Sequence, residues 1–193
     1  MSTPLSPSPG HIACHFPDHS PESAPAASRA AMAAVTAKQG HLPAAVARLA
    51  SSPELLNGFL RTSALFESTT LDQLSREVLI MTMASRNGCH LCVAMHTAKL
   101  TALAADGGLI AALRGESPLP LPDERLEAMR RFTIAVIEAS GAVDDATLQS
   151  FLDRGYTARN ALEVVLGIGA YTMSTLANRM TAAPIDPQLA RFA

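Results

Sequence analysis

Two cysteines spaced as Cys-x-x-Cys are the residues of this chain best suited to chemistry. Cys89 and Cys92 directly follow Asn87 and Gly88, which interrupt an apolar helical pattern. A helix beginning at or near Cys89 would place this thiol beside the unpaired N–H groups of its first turn, where an anion is favoured. Thiols in such positions often have lowered pKa values, and the thiolate is the reactive form. The pair is therefore predicted to be a redox dithiol.

A histidine and a glutamate are spaced so that they can serve this pair. Each residue advances about 100° around a helix, so Cys92 and His96 lie roughly on the face of Cys89. At positions i and i+4, Cys92 and His96 are direct neighbours. The imidazole can remove a thiol proton or store it. Glu77, one helix earlier, is predicted to orient His96 or pass protons through water. The candidate catalytic residues are Cys92, Cys89, His96 and Glu77.

Helices are predicted to position these four residues. Apolar residues make up 48% of the 193 residues, charged residues 17% and aromatic residues 4%. That balance favours closely packed helices over a β-sandwich, which needs β-branched and aromatic residues. Residues 1–27 are rich in Pro and Ser and are predicted to be a flexible tail. Residues 28–193 are predicted to be one all-helical, all-α domain.

Local signals set the predicted helix boundaries. Ser28 is expected to cap the first helix and Gly40 to end it. Thr70 is expected to begin a capping box for the helix that carries Glu77 and ends near Arg86. A helix from Cys89 is expected to end at Gly107 and Gly108, and the last to run from Thr157 to about Met180.

A weak internal echo accompanies this pattern. Glu77 and the three residues after it resemble Glu163 and its successors, and each stretch begins an apolar helix. The second copy has Thr175 and Asn178 where the first has the two thiols. A two-fold duplication and chance recurrence in a helical protein are both open interpretations.

The segment from Glu77 to His96 resembles the alkyl hydroperoxidase D core of the carboxymuconolactone decarboxylase superfamily. That pattern is a Glu, eleven residues, Cys-x-x-Cys, three residues and a His, and Glu77, Cys89, Cys92 and His96 match it in register. The resemblance covers roughly residues 45 to 190 and is specific mainly in this segment. One position departs: the family has His directly before the second Cys, where this chain has Leu91, and the imidazole stands at His90 instead.

The resemblance implies an all-helical bundle that forms a trimer or hexamer. It also implies a dithiol that reduces hydrogen peroxide or small organic peroxides and is re-reduced by an external dithiol or lipoyl-bearing donor such as dihydrolipoamide. By position, Cys92 would attack the peroxide, Cys89 would resolve the product into a disulfide, His96 would act as base, and Glu77 would complete the proton relay. No bound cofactor and no metal are expected.

Simpler interpretations of the same residues stay open. The thiols could be ordinary buried cysteines or, with His96 and either Glu77 or His90, ligands of a zinc ion. Glu77 could pair with Arg76 or Arg86, and Met81, Met83 and Met95 could be core packing or a pocket wall. Tyr171 and Asn178 are interpreted as structural hydrogen-bonding residues. In the tail, a metal site is conceivable from His11, Cys14, His15 and His19, although the neighbouring prolines disfavour the helix that would align them.

Charge and hydropathy restrict the classes of partner. The net charge is −2 and no Lys/Arg cluster is present, so nucleic acid is not expected as a partner. The longest apolar stretch, Val164 to Ala177, is shorter than the roughly 20 residues of a membrane span. No secretory signal is visible, and the expected location is the cytoplasm. The alternatives to a peroxidase are a non-catalytic redox sensor and a decarboxylase or isomerase acting on a small lactone acid.

Overall fold

The structure, a computed structural model, describes residues 15–193 as a bundle of helices. No strand occurs within that range, so the predicted all-α class is confirmed. The α-helices, followed by a terminal 3₁₀ helix at Pro187–Phe192, are α1 Ala26–Gln39, α2 Ala44–Leu49, α3 Pro53–Glu67, α4 Gln73–Arg86, α5 His90–Ala102, α6 Gly107–Leu113, α7 Glu124–Glu138, α8 Asp145–Leu152 and α9 Ala158–Met180. No helix of this range is long and apolar enough to cross a membrane.

Helices α4 and α9 form the centre of the bundle. Helix α4 is buried over most of its surface and contacts α5, α7 and α9, while α9 also packs against α3. The α3–α9 contact is close at Gly167, where a Cβ atom would lie 2.6 Å from the ring of Phe66 and 3.0 Å from Leu79. Only a glycine fits there, because protein interiors are packed too densely to yield such space.

The chain reverses direction between α4 and α5, as the sequence predicts. Asn87 ends α4, Gly88 takes a φ of 62°, and Cys89 is the N-cap residue of α5. Glycine adopts this left-handed conformation without the steric cost of a side chain. The turn is fixed to α9 because Asn87 donates to the Thr175 hydroxyl at 2.8 Å and Arg179 donates to the Asn87 carbonyl. The first thiol is therefore held at a helix start.

Three of the predicted helix boundaries are wrong. Ser28 lies inside α1 and is fully buried, and its hydroxyl donates to the Ala50 carbonyl instead of capping the helix. Helix α4 is capped by Asp72, whereas Thr70 donates to Glu163. The glycines at 107 and 108 begin α6 rather than end α5, which stops at Ala102. Ser28 and Thr70 bind partners that are distant in the chain. The neighbouring aspartates Asp72 and Asp106 cap α4 and α6 instead.

The N-terminal helices are fastened to the end of the chain. The guanidinium of Arg48 donates to the carbonyls of Thr181 and Ala182, each at 2.6 Å, and pairs with Asp18 at 2.7 Å. Asp18 belongs to the predicted tail. Residues 1–14 of that tail, which include His11 and Cys14, lie outside the described range. The proposed domain boundary after residue 27 stays a prediction. So does the internal duplication, since α9 is continuous at the positions that correspond to the α4–α5 break.

Candidate active site

The two thiols of the Cys-x-x-Cys pair lie side by side at the start of α5. Their Sγ atoms are 2.7 Å apart, and both cysteines are free and buried. The buried side chains of Ala45, Ala84 and Leu91 pack around the pair. This is the reduced form of a dithiol whose sulfurs are close enough to join after only a small movement.

The two thiols differ in pKa because each affects the other. The hydrogen bond with Cys92 is the largest influence on Cys89 and lowers its pKa to about 7, against an opposing effect of burial. Arg179 contributes a further lowering through its charge. The same hydrogen bond, together with burial, raises the pKa of Cys92. The pair thus loses its first proton near neutral pH, and Cys92 needs a base to become a thiolate.

His96 and Glu77 form a buried acid–base pair between α5 and α4. The Nδ1 atom of His96 lies 2.6 Å from Oε2 of Glu77, and both side chains are almost completely buried. The ammonium group of Lys99 is 3.6 Å from the other carboxylate oxygen. Glu77 therefore binds His96 and Lys99. The alternative partners Arg76 and Arg86 bind elsewhere: Arg76 donates to the Leu71 carbonyl and Arg86 pairs with Glu138.

The pKa values of both members of this pair are lowered, for different reasons. Burial lowers the pKa of His96, outweighing the opposite effect of Glu77, so the imidazole is neutral at neutral pH. Burial raises the pKa of the Glu77 carboxyl, but His96 and Lys99 outweigh it and hold the pKa below its usual range. A carboxylate facing Nδ1 fixes that nitrogen as the N–H donor and leaves Nε2 with a lone pair. His96 can therefore act as a base through Nε2.

Asn178, from the distant helix α9, contacts the sulfur of Cys92. Its amide nitrogen is 3.4 Å from Sγ of Cys92 and 3.4 Å from the hydroxyl of Ser174. The other amide atom, Oδ1, is buried and has no hydrogen-bond donor among the described residues. The interpretation of Asn178 as a purely structural residue missed this contact. Its positions in the weak echo of the Cys-x-x-Cys segment and in a C-terminal stretch that resembles the end of superfamily members were the sequence signals that singled it out.

A cavity of about 450 Å³ opens beside Cys92. Polar residues on one side include Cys92, His96, Ser174 and Asn178, while α1, α2 and α3 supply largely apolar walls such as Val35, Leu49, Leu56, Phe59 and Leu60. Cys89 does not line it. Tyr171 stands edge-on to the His96 ring at 5.7 Å and completes the wall. A molecule in this cavity would meet Cys92 before Cys89.

The other residues that the sequence analysis singled out near the thiols lie on the cavity wall, in the core or at the surface. Met95 lines the cavity, whereas Met81 and Met83 belong to the main hydrophobic core. Leu91 is buried against the dithiol, and His90 is exposed and outside the cavity wall. His90 therefore does not take the place of the histidine that Leu91 replaces. Within residues 15–193 no three His, Cys, Asp or Glu side chains are grouped as metal ligands would be.

Solved structures share this arrangement of helices. An uncharacterised peroxidase-related protein from Ralstonia eutropha JMP134, described as an alkylhydroperoxidase AhpD core, is 21% identical over 90% of this chain and 93% of its own, with a TM-score of 0.77. An uncharacterised peroxidase-related protein from Silicibacter sp. TM1040 is 22% identical over 98% of this chain and 100% of its own, with a TM-score of 0.76.

A third similar structure has a different chemical description. The debrominase Bmp8, in a cysteine-to-alanine variant bound to 2,3,4-tribromopyrrole, is 14% identical over 84% of this chain and 87% of its own, with a TM-score of 0.67. No family model matches the sequence, and no curated protein matches it. The structural likenesses confirm the predicted fold class.

Proposed function

We propose, from the alkyl hydroperoxidase D-like fold of this chain and the geometry of its dithiol, that the protein is a dithiol peroxidase. Its substrates would be hydrogen peroxide or small organic hydroperoxides, and its electrons would come from an external dithiol such as dihydrolipoamide. One observation carries the proposal: Cys92 lies on a cavity together with a neutral, carboxylate-oriented histidine, and a second thiol lies 2.7 Å behind it.

In the first step His96 Nε2 removes the Cys92 proton, and the thiolate attacks the terminal oxygen of R–O–O–H. The S–O bond forms as the O–O bond breaks, which yields a Cys92 sulfenic acid and an alkoxide RO⁻. The imidazolium then protonates the alkoxide to ROH. The Glu77 carboxylate stabilises the imidazolium while it holds the proton, because the two side chains are in direct contact in a buried site.

In the second step Cys89 attacks the sulfenic sulfur. The lowered pKa of Cys89 supports this step, since its thiolate is available near neutral pH. The S–S bond forms and hydroxide leaves, and the hydroxide takes up from the surroundings the equivalent of the proton that Cys89 released on ionisation, which gives water. Overall two thiols and ROOH give a disulfide, ROH and water. A donor dithiol then reduces the Cys89–Cys92 disulfide by exchange.

Steady-state turnover tests this function. Reduced protein is mixed with an alkyl hydroperoxide and an excess of dihydrolipoamide, and peroxide consumption is followed. Many turnovers per protein are expected, and they should vanish in Cys92→Ser. One stoichiometric oxidation with no turnover under any dithiol donor would point to a redox sensor. Turnover of a lactone acid that survives loss of both thiols would point to the decarboxylase or isomerase class.

A second candidate function uses the same dithiol on a brominated ring. The similarity to a debrominase that binds 2,3,4-tribromopyrrole suggests it, and the apolar walls of the cavity are compatible with a small aromatic ring. The dithiol would be oxidised to the disulfide while the ring exchanges bromine for hydrogen and bromide is released. Bromide release that depends on Cys92, without peroxide turnover, would favour this function.

Assembly and location complete the proposal. A homo-oligomer, a trimer or hexamer, is expected from the family resemblance, and an exposed apolar row along α9 is compatible with contact to a second copy: Leu162, Val165, Leu176 and Met180. Light scattering of the wild type and of Leu162→Glu would test this contact, and a smaller mass for the variant is the expected result. A reducing compartment such as the cytoplasm would keep the dithiol in its working form.

A further inference from the structure

The side-chain amide of Asn178 contacts the sulfur of Cys92 through its nitrogen, and its oxygen has no hydrogen-bond donor among residues 15–193. The nitrogen lies 3.4 Å from Cys92 Sγ, while Oδ1 is buried without a donor among residues 15–193. A buried carbonyl oxygen without a donor costs free energy, and nearly all such atoms in proteins find partners. Asn178 also lines the cavity, so a small displacement of its side chain would bring Oδ1 within reach of a donor on a molecule bound there.

The neighbours of Asn178 fix which amide atom faces the sulfur. A thiolate accepts hydrogen bonds, so the NH₂ group must point toward Cys92 once that thiol is deprotonated. The Ser174 hydroxyl lies 3.4 Å from the same nitrogen and contacts it from the preceding turn of α9. With the nitrogen so placed, the oxygen is left for an O–H or N–H donor of the ligand.

We propose that Asn178 is a catalytic residue that binds the substrate hydroperoxide by accepting its O–H through Oδ1 while donating to Cys92 through Nδ2. This inference rests on the proposed peroxidase function and names its substrate class as hydroperoxides, which carry an O–H, with the terminal oxygen set against the sulfur. That oxygen keeps its proton during the attack: the O–O bond breaks, RO⁻ leaves, and the product is Cys92–S–O–H. The same O–H stays bound to Oδ1 until Cys89 attacks.

The test compares two reagents that need the Cys92 thiolate but differ in hydrogen bonding. An alkyl hydroperoxide has the O–H donor, whereas methyl methanethiosulfonate has none. All proteins carry Cys89→Ser, so that Cys92 is the one thiol of its peptide, and rates of Cys92 modification are measured by quenched mass spectrometry for this parent, Asn178→Leu and Asn178→Asp. The control is Thr133→Val, since the buried Thr133 hydroxyl donates only to Met129 of its own helix and lies outside the cavity wall.

For Asn178→Leu we expect the hydroperoxide rate to fall about tenfold more than the methanethiosulfonate rate, the effect of one lost hydrogen bond. Asn178→Asp loses the donor and keeps an acceptor, so both rates should fall together and their ratio should match that of the parent. Thr133→Val should change neither rate. Equal losses of both rates in Asn178→Leu, or no loss, would overturn the inference while leaving the peroxidase proposal intact. A wild-type Cys92 inert to every hydroperoxide would overturn both proposals.

Discussion

Glu77 and His96 belong to consecutive helices and meet through Oε2 and Nδ1 at 2.6 Å, almost completely buried. The turn at Asn87 and Gly88 makes this possible because it folds α5 back along α4. Burial alone would favour a neutral carboxyl, but the imidazole and Lys99 hold the charge on Glu77. The pair therefore places an oriented imidazole on the wall of the cavity that Cys92 also lines.

Replacing Glu77 tests the orienting role directly. Glu77→Gln removes the charge that stabilises the His96 imidazolium, so peroxide turnover should fall by at least about tenfold. Glu163→Gln is the matched control, since Glu163 is also a buried helical carboxylate but is held by Thr70, Asn160 and Arg159 away from the cavity. Steady-state rates per folded protein are the measurement. Equal losses in both variants would contradict a specific role for Glu77.

The thiol titration should depend on the hydrogen bond between the two cysteines. Reduced wild-type protein should develop thiolate absorbance with a midpoint near pH 7, because the pKa of Cys89 is lowered to about 7. In Cys92→Ala the largest lowering influence is lost, so the midpoint of Cys89 should move to higher pH. Ultraviolet titration of both proteins measures it. An unchanged midpoint in the variant would show that Cys92 does not set the acidity of Cys89.

Variants that retain one cysteine of the pair should differ in how much sulfenic acid they form. In Cys89→Ser, hydroperoxide should leave a sulfenic acid on Cys92 that a cyclic dione reagent traps, because only Cys92 lines the cavity. In Cys92→Ser, little sulfenic acid should form on Cys89 even though its pKa is the lower of the two. Peptide mass spectrometry identifies the labelled residue. Stronger labelling of Cys89 would reverse the assigned roles.

Burial of His96 should make the protein less stable in mild acid. Its folded pKa lies below the ordinary value of 6.5, so the unfolded chain binds more protons just below that pH. The free energy of unfolding should therefore fall as the pH drops below 6.5 toward the folded pKa. His96→Gln should lose this component of the pH dependence. Urea unfolding at several pH values compares the two, and parallel profiles would contradict a depressed pKa.

Two glycines on α9 provide a matched test of the core. Gly167→Ala should destabilise the fold by about 1–3 kcal/mol, because its Cβ would overlap the buried Phe66 ring. Gly169 has nothing within 4 Å, so Gly169→Ala should be neutral or stabilising by up to about 1 kcal/mol. Chemical unfolding measures both. Similar effects at the two positions would contradict the close α3–α9 packing.

The sequence was most informative where the determinants are local. The glycine break, the helix start at Cys89 and the spacing to His96 are all contained in one short segment, and backbone geometry alone predicts which side chains share a face. Ser28 and Thr70 were misassigned because their partners, Ala50 and Glu163, are distant in the chain. Asn178 and the cavity walls from α1 to α3 depend on tertiary packing, which no local spacing encodes.

A single-turnover experiment tests the central proposal most directly. Reduced protein is mixed with one equivalent of alkyl hydroperoxide without any donor, and the alcohol formed and the state of the Cys89–Cys92 peptide are both measured. We expect one equivalent of alcohol, one intramolecular disulfide per chain, and loss of both in Cys92→Ser. Unchanged hydroperoxide with both thiols still reduced would contradict the dithiol peroxidase.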